Sequence, residues 1–422
     1  MTATNEQVME NWKKNIILFL GSQTLSLFGS SLVQYAIMWY ITLNTQSGIM
    51  MTISIVCGFL PTFILSPFAG VWADRYNRKM LIILSDLLIA VSTLILAILF
   101  LLGYESLLLL FVMSAVRAIG TGIQGPAVGA ILPQLVPEDK LTKVNGTNGS
   151  IQALIMLISP MLSGALLTMA SMEIIFFIDV ITAAIAIFIL LTFLKVPAHA
   201  KALQKQTTSY YSDLKEGFNY IKNHDFIKKF FTFFFFFFVL VAPVAFLTPL
   251  QVTRSFGADV WRLTAIEIAF SIGMILGGVF ISTWGGFRNK IHTMTLGSLV
   301  IGACTFTLGF IDLFWLYLII MAVVGVAMPI FNTPSTVLLQ EKVEGDFLGR
   351  VFGVLGMIAT SMMPLGMLVF GPLSDFVKIE WLLIITGFLL FLLGFFLIGS
   401  KVLIEAGKPI SKEPNISEES SI

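Results

Sequence analysis

The sequence predicts an all-α membrane protein with twelve transmembrane helices in two six-helix bundles. Of its 422 residues, 57% are hydrophobic and 12% are charged, whereas soluble chains are about 25% charged. The apolar residues form continuous runs, each long enough to cross about 30 Å of hydrocarbon as a helix. The runs lack the alternation of a membrane β-barrel. This composition excludes a soluble enzyme and a secreted disulfide scaffold.

Twelve apolar runs follow one another along the chain, and short connections join most of them. The predicted spans are 14–43, 47–73, 80–102, 107–132, 144–170, 174–195, 229–254, 263–284, 292–311, 313–340, 351–376 and 381–400.

An internal repeat supports an even division of the chain. Pro137–Gly146 aligns with Glu344–Gly353, and Asp, Leu, a basic residue, Val and Gly recur in register. Duplicated halves of this kind place a substrate site at their interface. The predicted regions are an N-terminal bundle at 1–195, a cytoplasmic central loop at 196–228, a C-terminal bundle at 229–400 and a disordered cytoplasmic tail at 401–422.

The positions of the basic residues predict the orientation. With the N-terminus in the cytoplasm, 21 of the 25 Lys and Arg residues are cytoplasmic, and only Arg254, Arg262 and Lys378 are outside. Such asymmetry indicates cytoplasmic termini in a cell membrane, inner or plasma. The 25 basic residues nearly balance the 24 acidic ones, so no nucleic-acid partner is expected.

Residues 70–79, read as GVWADRYNRK, resemble the signature loop of the major facilitator superfamily, G-x-x-x-D-R-x-G-R-K, between the second and third helices. Asn77 replaces the usual glycine, and asparagine tolerates the positive φ expected there. The resemblance implies a latch that gates the cytoplasmic face. Its residues are Gly70, Asp74, Arg75, Arg78 and Lys79. The matching loop of the second half has Ser282 instead of the carboxylate.

Other segments resemble the macrolide-efflux type of drug:proton antiporters. They are Arg117–Thr121, Leu348–Val351 and Ser159–Gly164, the last a weakened form of the G-P-x-x-G-G pattern. The resemblance implies a monomeric secondary exporter of small amphipathic, drug-like compounds, which exchanges them for protons across the lipid bilayer by alternating access. Macrolide-like antibiotics are possible cargoes. The alternatives are a specific natural cargo, such as a siderophore or lipid-like metabolite, and a sensor or scaffold that transports nothing.

Four charged residues lie well inside predicted spans, where each costs about 3 kcal/mol or more and usually faces the bundle interior. They are Asp86, Arg117, Asp179 and Glu267, whereas Asp375 lies nearer a helix end, where it can simply be solvated. We expect Glu267 to bind the coupling proton and Arg117 to approach it from the other half. Asp86 is a further proton-coupling candidate, although local structural pairing is the simpler expectation for Asp86 and Asp179.

Polar and small residues recur at helical spacing in three spans and are expected to line one substrate cavity. Small polar residues also mediate helix packing, which is the simpler explanation for the serines. The predicted cavity residues are Gln23, Ser30 and Gln34 in the first span, Thr121 and Gln124 in the fourth, and Ser271 and Met274 in the eighth.

The seventh span contains a phenylalanine run from Phe233 to Phe238, and we expect most of these rings to face lipid. The chain has no phosphate-binding glycine loop, and its three histidines suggest no metal cluster. No cofactor and no enzymatic activity are therefore expected.

Overall fold

The computed structural model describes residues 11–194, 196 and 220–409, and every regular element within these ranges is a helix. Twelve segments are long and apolar enough to cross a membrane, with α7 and α8 together forming the seventh. This confirms the predicted fold class. The helices are α1 Trp12–Thr45, α2 Gly48–Arg75, α3 Arg78–Leu101, α4 Leu107–Leu135, α5 Glu138–Met169, α6 Met172–Thr192, α7 Asp225–Phe246, α8 Thr248–Ser255, α9 Val260–Trp284, α10 Lys290–Leu308, α11 Phe314–Lys342, α12 Gly345–Phe376, α13 Ile379–Gly399 and α14 Lys401–Ala406.

The two halves repeat at the level of the backbone. Both α5 and α12 begin earlier than expected, because their polar first turns extend the helix beyond the apolar run. The residues before them, Pro137 and Glu344, have nearly the same backbone angles, with φ −58° and ψ 146° against φ −58° and ψ 140°. The repeat found in the sequence therefore marks equivalent helix starts.

Helices α1–α6 pack chiefly against one another, as do α7–α13. The two bundles meet mainly along α2 with α12 and along α5 with α9. Each connection between consecutive spans that the structure describes lies at one of two ends of the molecule. We call the end with the α1–α2 turn the outer end and the end with the α2–α3 turn the inner end, following the predicted orientation.

The phenylalanine run of α7 corrects one prediction. Phe230, Phe233, Phe234 and Phe237 are at most 2% exposed. The last three lie against Phe331 of α11, and Phe230 packs on Phe234. These four recur at helical spacing and form one face, so that face is core and not lipid-facing. Exposed rings in the run include Phe235 and Phe236.

The tail also begins differently from the prediction. Residues 401–406 form α14, in which Leu403 is buried, and the Lys290 backbone N–H donates to the Gly407 carbonyl. The rest of the tail, from residue 410, and most of the central loop lie outside the described residues. The loop's last residues pack on the second bundle, where Tyr220 stacks on Phe347 at 4.3 Å between ring centroids.

Candidate functional site

A buried polar network joins α1, α3, α4 and α6 inside the first bundle. The Arg117 guanidinium on α4 lies 2.5 Å from the Asp179 carboxylate on α6. Thr93 of α3 donates to the same carboxylate at 2.8 Å, and Arg117 also contacts Thr93. On α1, Ser30 donates to Asp179 at 3.2 Å, and its carbonyl accepts from Arg117. Asp179 is therefore neutralised and fully hydrogen-bonded in a site that is closed to solvent.

The second part of the network surrounds Asp86 on α3, which is 0% exposed. Its Oδ1 accepts from Ser26 at 2.5 Å and from Gln124 at 2.7 Å. The Gln124 amide also lies 3.5 Å from Gln23. Neither Asp86 Oδ2 nor Gln23 Nε2, both buried, has a partner among the described residues. Asp86 therefore differs from Asp179: neutral donors contact it, and no recorded ion pair reaches it.

Two glycines allow the helices around this network to approach closely. A Cβ on Gly29 of α1 would overlap Thr182 and meet Asp179 of α6 at 3.0 Å. A Cβ on Gly120 of α4 would collide with Ile89 on α3, its nearest atom at 2.6 Å. Larger residues at either position would separate the helices that supply the carboxylates and their donors.

In this arrangement Arg117 pairs within its own bundle, and its predicted approach to Glu267 stays a prediction. The recorded ion pair joins Arg117 to Asp179 within the first bundle, and it does not join Arg117 to Glu267 of the second. The expected local pairing of Asp179 is thus present. The polar faces of α1 and α4 also contact each other. Ser26, Ser30 and Gln124 contact the two aspartates instead of lining an open cavity.

Glu267 lies on the opposite side of the bundle interface. It is partly buried on α9, without a hydrogen bond recorded among the described residues. Tyr35 of α1 lies within electrostatic range of it. One turn before Glu267, Thr264 lies against the position that a Gly164 side chain would occupy, beside Trp39. Glu267 is therefore a carboxyl group of the second bundle that faces the first.

The remaining predicted cavity residues are more exposed. Gln34, Thr121 and Met274 are exposed, and Ser271 is partly buried. Gln34 lies near Gly58 of α2, and the Thr121 hydroxyl donates to the Arg117 carbonyl on its own helix. The structure therefore does not bring all the predicted cavity residues into one contacting group.

At the outer end, hydrogen bonds to one carboxylate join the two bundles. Asp375 on the last turn of α12 accepts from the backbone N–H groups of Gly48 at 2.7 Å and Ile49 at 3.0 Å, and from the Ser47 hydroxyl at 2.8 Å. Arg254 of α8 lies 2.7 Å from the same carboxylate and donates to the first bundle at Gln46. We call these residues the outer clamp.

Small residues bring α2 and α12 together beneath the outer clamp. A Cβ on Gly48 would overlap Gly371, and one on Gly371 would overlap Thr52. The Thr52 hydroxyl donates to the Met367 carbonyl across the interface at 3.1 Å. The bundles are therefore in close contact at the outer end.

At the inner end, the contacts that an added Cβ would make at the glycines show open space. An added Cβ would meet no atom within 4 Å at the inner-end glycines of α4, α5 and α12, namely Gly125, Gly129, Gly146, Gly149, Gly353 and Gly356. Contact at one end and open space around the glycines at the other correspond, in the predicted orientation, to an inward-open arrangement.

Between α2 and α12 lies an apolar cavity of about 370 Å³. Its walls include Phe59 and Phe63 on α2 and Met357 and Met362 on α12. Aromatic and methionine side chains form adaptable apolar surfaces. None of the predicted substrate residues lines this cavity, because they lie on α1, α4 and α9.

The predicted gating loop holds helices within the first bundle. Arg78 is buried and donates to the carbonyls of Ala73 at 2.8 Å and Ala130 at 2.7 Å. Lys79 donates to the Leu194 carbonyl, just beyond α6. Such contacts satisfy carbonyls at helix ends and oppose their partial negative charge. A Cβ added at Gly70 would meet no atom within 4 Å, and the Arg75 side chain is exposed. The side chain of Asp74 lies outside the described part of the chain, so its latch role stays a prediction.

Asn77 corrects the expectation of a positive φ. Its φ is −66°, and its side chain accepts from the backbone N–H of Met80 at the start of α3. Asparagine therefore serves as a helix N-cap. Asn289 caps α10 in the same way, accepting from Ile291 at 3.0 Å. Beside it, Lys290 pairs with Glu341 of α11 at 2.8 Å.

Sequence reasoning missed the outer clamp. Asp375 was expected only to be solvated at a helix end, and Arg254 was counted only for topology. The sequence signal that could have indicated it is the presence of an acidic and a basic residue at the outer ends of two helices in the same half. Within the described residues, no group of three or more His, Cys, Asp or Glu side chains is placed to hold a metal ion.

Comparison with known proteins agrees with the architecture. The structure resembles a crystal structure of the nucleoside transporter NupG, with a TM-score of 0.67 and 17% identity, covering 92% of this chain and 98% of that one. Macrolide efflux protein A of Streptococcus pyogenes is 27% identical over 382 residues, 90% of this chain and 94% of that protein. The Staphyloferrin A transporter of Staphylococcus aureus is 22% identical over 362 residues, 85% of this chain and 89% of that protein.

The model of the Major Facilitator Superfamily matches residues 19–367, most of the chain. The twelve spans and the packing of six helices in each half agree with that match. The chain is therefore a multi-pass membrane protein that belongs to the Major Facilitator Superfamily.

Proposed function

We propose that the protein is a secondary active exporter of amphipathic, drug-like compounds, macrolide-like antibiotics among them, driven by proton antiport through alternating access. The observation that carries the proposal is the one-sided contact between the bundles, which touch at the outer end and leave the inner-end glycines open. Cargo from the cytoplasm or inner leaflet can then reach the interface. Breaking the outer clamp and closing the inner end would release it outside.

The apolar cavity between α2 and α12 supports an amphipathic cargo. Its Phe and Met lining offers no fixed polar partners, which suits apolar groups of varied shape. The similarity to Macrolide efflux protein A over 90% of the chain points to the same class of cargo.

Glu267 is proposed as the proton-coupling residue of the interface. A carboxyl group inside a membrane loses hydration when it is ionised, so it can bind and release a proton instead of keeping a permanent charge. When ionised it attracts a cationic cargo, and when protonated it does not. Proton and cargo would thus compete for one carboxylate at a place that both bundles reach. Arg117 contributes indirectly, through the network of the first bundle.

The test measures drug accumulation in inverted vesicles under an imposed pH gradient. Glu267→Gln is expected to abolish gradient-driven accumulation and keep binding of a neutral substrate, because the size is preserved and the titration is removed. Glu105→Gln is the matched control, since Glu105 is an outer-end residue that contacts Tyr40. Accumulation by Glu267→Gln at the wild-type rate would refute the assignment.

A specific natural cargo is the second candidate. The similarity to the Staphyloferrin A transporter favours a siderophore in particular. Cells with and without the gene should be compared for macrolide susceptibility and for release of radiolabelled staphyloferrin A. Release of the siderophore without any change in susceptibility to macrolides or other amphipathic drugs would favour this alternative.

A further inference from the structure

We propose that Asp86 is a second proton-binding site, separate from Glu267, and that it is protonated in the inward-open state. The inference rests on the proposed proton-coupled function and adds a site in the first bundle. It starts from a charge count in the buried network, where two carboxylates share one guanidinium. If both aspartates were ionised, one negative charge would lie uncompensated inside the membrane.

The geometry assigns the single cation to Asp179. Arg117 contacts Asp179 at 2.5 Å, and Thr93 and Ser30 complete the hydrogen bonds of that carboxylate. Asp179 therefore has both the cation and the hydrogen bonds that a buried charge needs.

Asp86 receives hydrogen bonds but no ion pair. Ser26 and Gln124 both donate to Oδ1, whereas the buried Oδ2 has no partner among the described residues. An unpaired carboxylate is costly in such a setting, and a proton on Oδ2 removes the charge without moving any helix.

The donors around Asp86 favour a proton over a metal cation. A sodium ion needs several oxygen ligands pointing inward, but the Gln124 amide presents its nitrogen to the carboxylate. Ser26 likewise uses its hydrogen on Oδ1. Only Oδ2 remains free, which suits a proton.

Asp86 and Asp179 belong to one electrostatic unit. Their partners Ser26 and Ser30 are one turn apart on α1, and Thr93 and Asp86 are two turns apart on α3. Gln124 and Arg117 are likewise two turns apart on α4. Because the charges are close and shielded from water, changing one should change the protonation of another.

The charge count gives a test that distinguishes a proton-binding Asp86 from an Asp86 with only a structural role. Infrared difference spectroscopy of the purified protein, across a pH step in choline buffer, reports the C=O stretch of protonated carboxyl groups. We expect one band that Asp86→Asn removes and that Glu267→Gln leaves in place. Thermal melts of each variant identify any that fails to fold.

The decisive variants leave Asp86 itself intact. Asp179→Asn frees Arg117 to neutralise Asp86, so the Asp86 band should disappear although the residue is present. Arg117→Gln removes the only cation of the network, so a second protonated-carboxyl band, of about the same intensity as the Asp86 band, should appear. Glu105→Gln should change nothing.

Several results would overturn the inference. A band that persists in Asp86→Asn, or that stays unchanged in both Asp179→Asn and Arg117→Gln, would refute the charge sharing. Loss of the band on adding sodium to wild type would assign the site to a cation. Transport in vesicles is measured separately: a protein with the band but no proton-driven transport would contradict the proposed function and not this site.

Discussion

Arg117 forms an ion pair with one of the two buried carboxylates of the network. The other carboxylate, which lacks such a pair among the described residues, is the one that we propose to exchange a proton. Its side chain lies at Asp179 and at the Ser30 carbonyl, so it serves the first bundle. Removing one member of a buried pair costs about 3–5 kcal/mol when nothing replaces it. On the proposal made above, Arg117 turns to Asp86 when Asp179 loses its charge, and the network then tolerates that change.

At the same scale, Asn77 gives a direct test of the capping role. Asn77→Ala should lower the free energy of unfolding by about 1 kcal/mol because α3 loses its N-cap bond, whereas Asn77→Gly should cost only a few tenths. Asn77→Asp should keep the cap. Chemical denaturation of the purified protein in detergent measures these differences.

Asn289→Ala is the matched change in the second half, because Asn289 caps α10. It should cost about the same as Asn77→Ala. Increased stability in Asn77→Gly would instead indicate that the turn favours a positive φ and would contradict the cap.

At the scale of helices, the outer clamp uses the N-terminus of α2. The first N–H groups of a helix lack partners within it and carry partial positive charge, so an acceptor with negative charge is stabilised there. Asp375 comes from α12 of the other bundle, and Arg254 balances its charge. One carboxylate therefore links a helix end of the first bundle to two helices of the second.

Removing the clamp should open the outer end. In a Cys57→Ser, Cys304→Ser background carrying Val56→Cys, we expect Asp375→Ala to speed the reaction of position 56 with an impermeant maleimide added outside intact cells. Asp375→Asn should give a smaller increase, since one acceptor oxygen remains. Mass-tag gel shifts over time measure the rate.

Asp259→Ala is the control for this experiment, because Asp259 pairs with Arg262 near the start of α9. It should leave the labelling rate unchanged. If Asp375→Ala labels no faster than Asp259→Ala, the clamp does not hold the outer end closed.

At the scale of the whole molecule, the side-chain hydrogen bonds recorded between the two bundles among the described residues lie at the outer end. Most apolar packing lies within a bundle, such as the Phe face of α7 against Phe331, and Trp39 and Met51 of the first bundle extend the core of the second. The interface instead uses small residues, as at Gly48 and Gly371. Strong packing within halves and local contacts between them suit rigid-body rocking.

The orientation of the molecule is a prediction at this scale. Single cysteines at positions 210 and 410, in the same cysteine-free background, should resist an impermeant maleimide added to intact cells and react after permeabilisation. Lys378→Cys, on the side with few basic residues, should react in intact cells. Ready labelling of position 210 or 410 before permeabilisation would contradict the predicted topology.

The sequence by itself determined the twelve helices, their order, the even repeat and the family resemblance. In a membrane, long apolar runs must satisfy their backbone hydrogen bonds internally, so composition and length suffice for the helices. It also identified Asp86, Arg117, Asp179 and Glu267, because charges are costly in hydrocarbon. Each of these conclusions depends on residues near one another in the chain or on a repeated pattern.

Only the tertiary structure decided which charges meet. Helical spacing gives the face of a residue on its own helix, but it does not give the rotation of that helix against its neighbours. Arg117 could have faced Glu267 as well as Asp179, and Asp375 could have been solvated. Close approach at Gly29 and Gly120 selects the first pair, and the contact of α12 with the start of α2 places Asp375 on Gly48 and Ile49. These contacts join residues that are far apart in the sequence, so a local sequence pattern could not predict them.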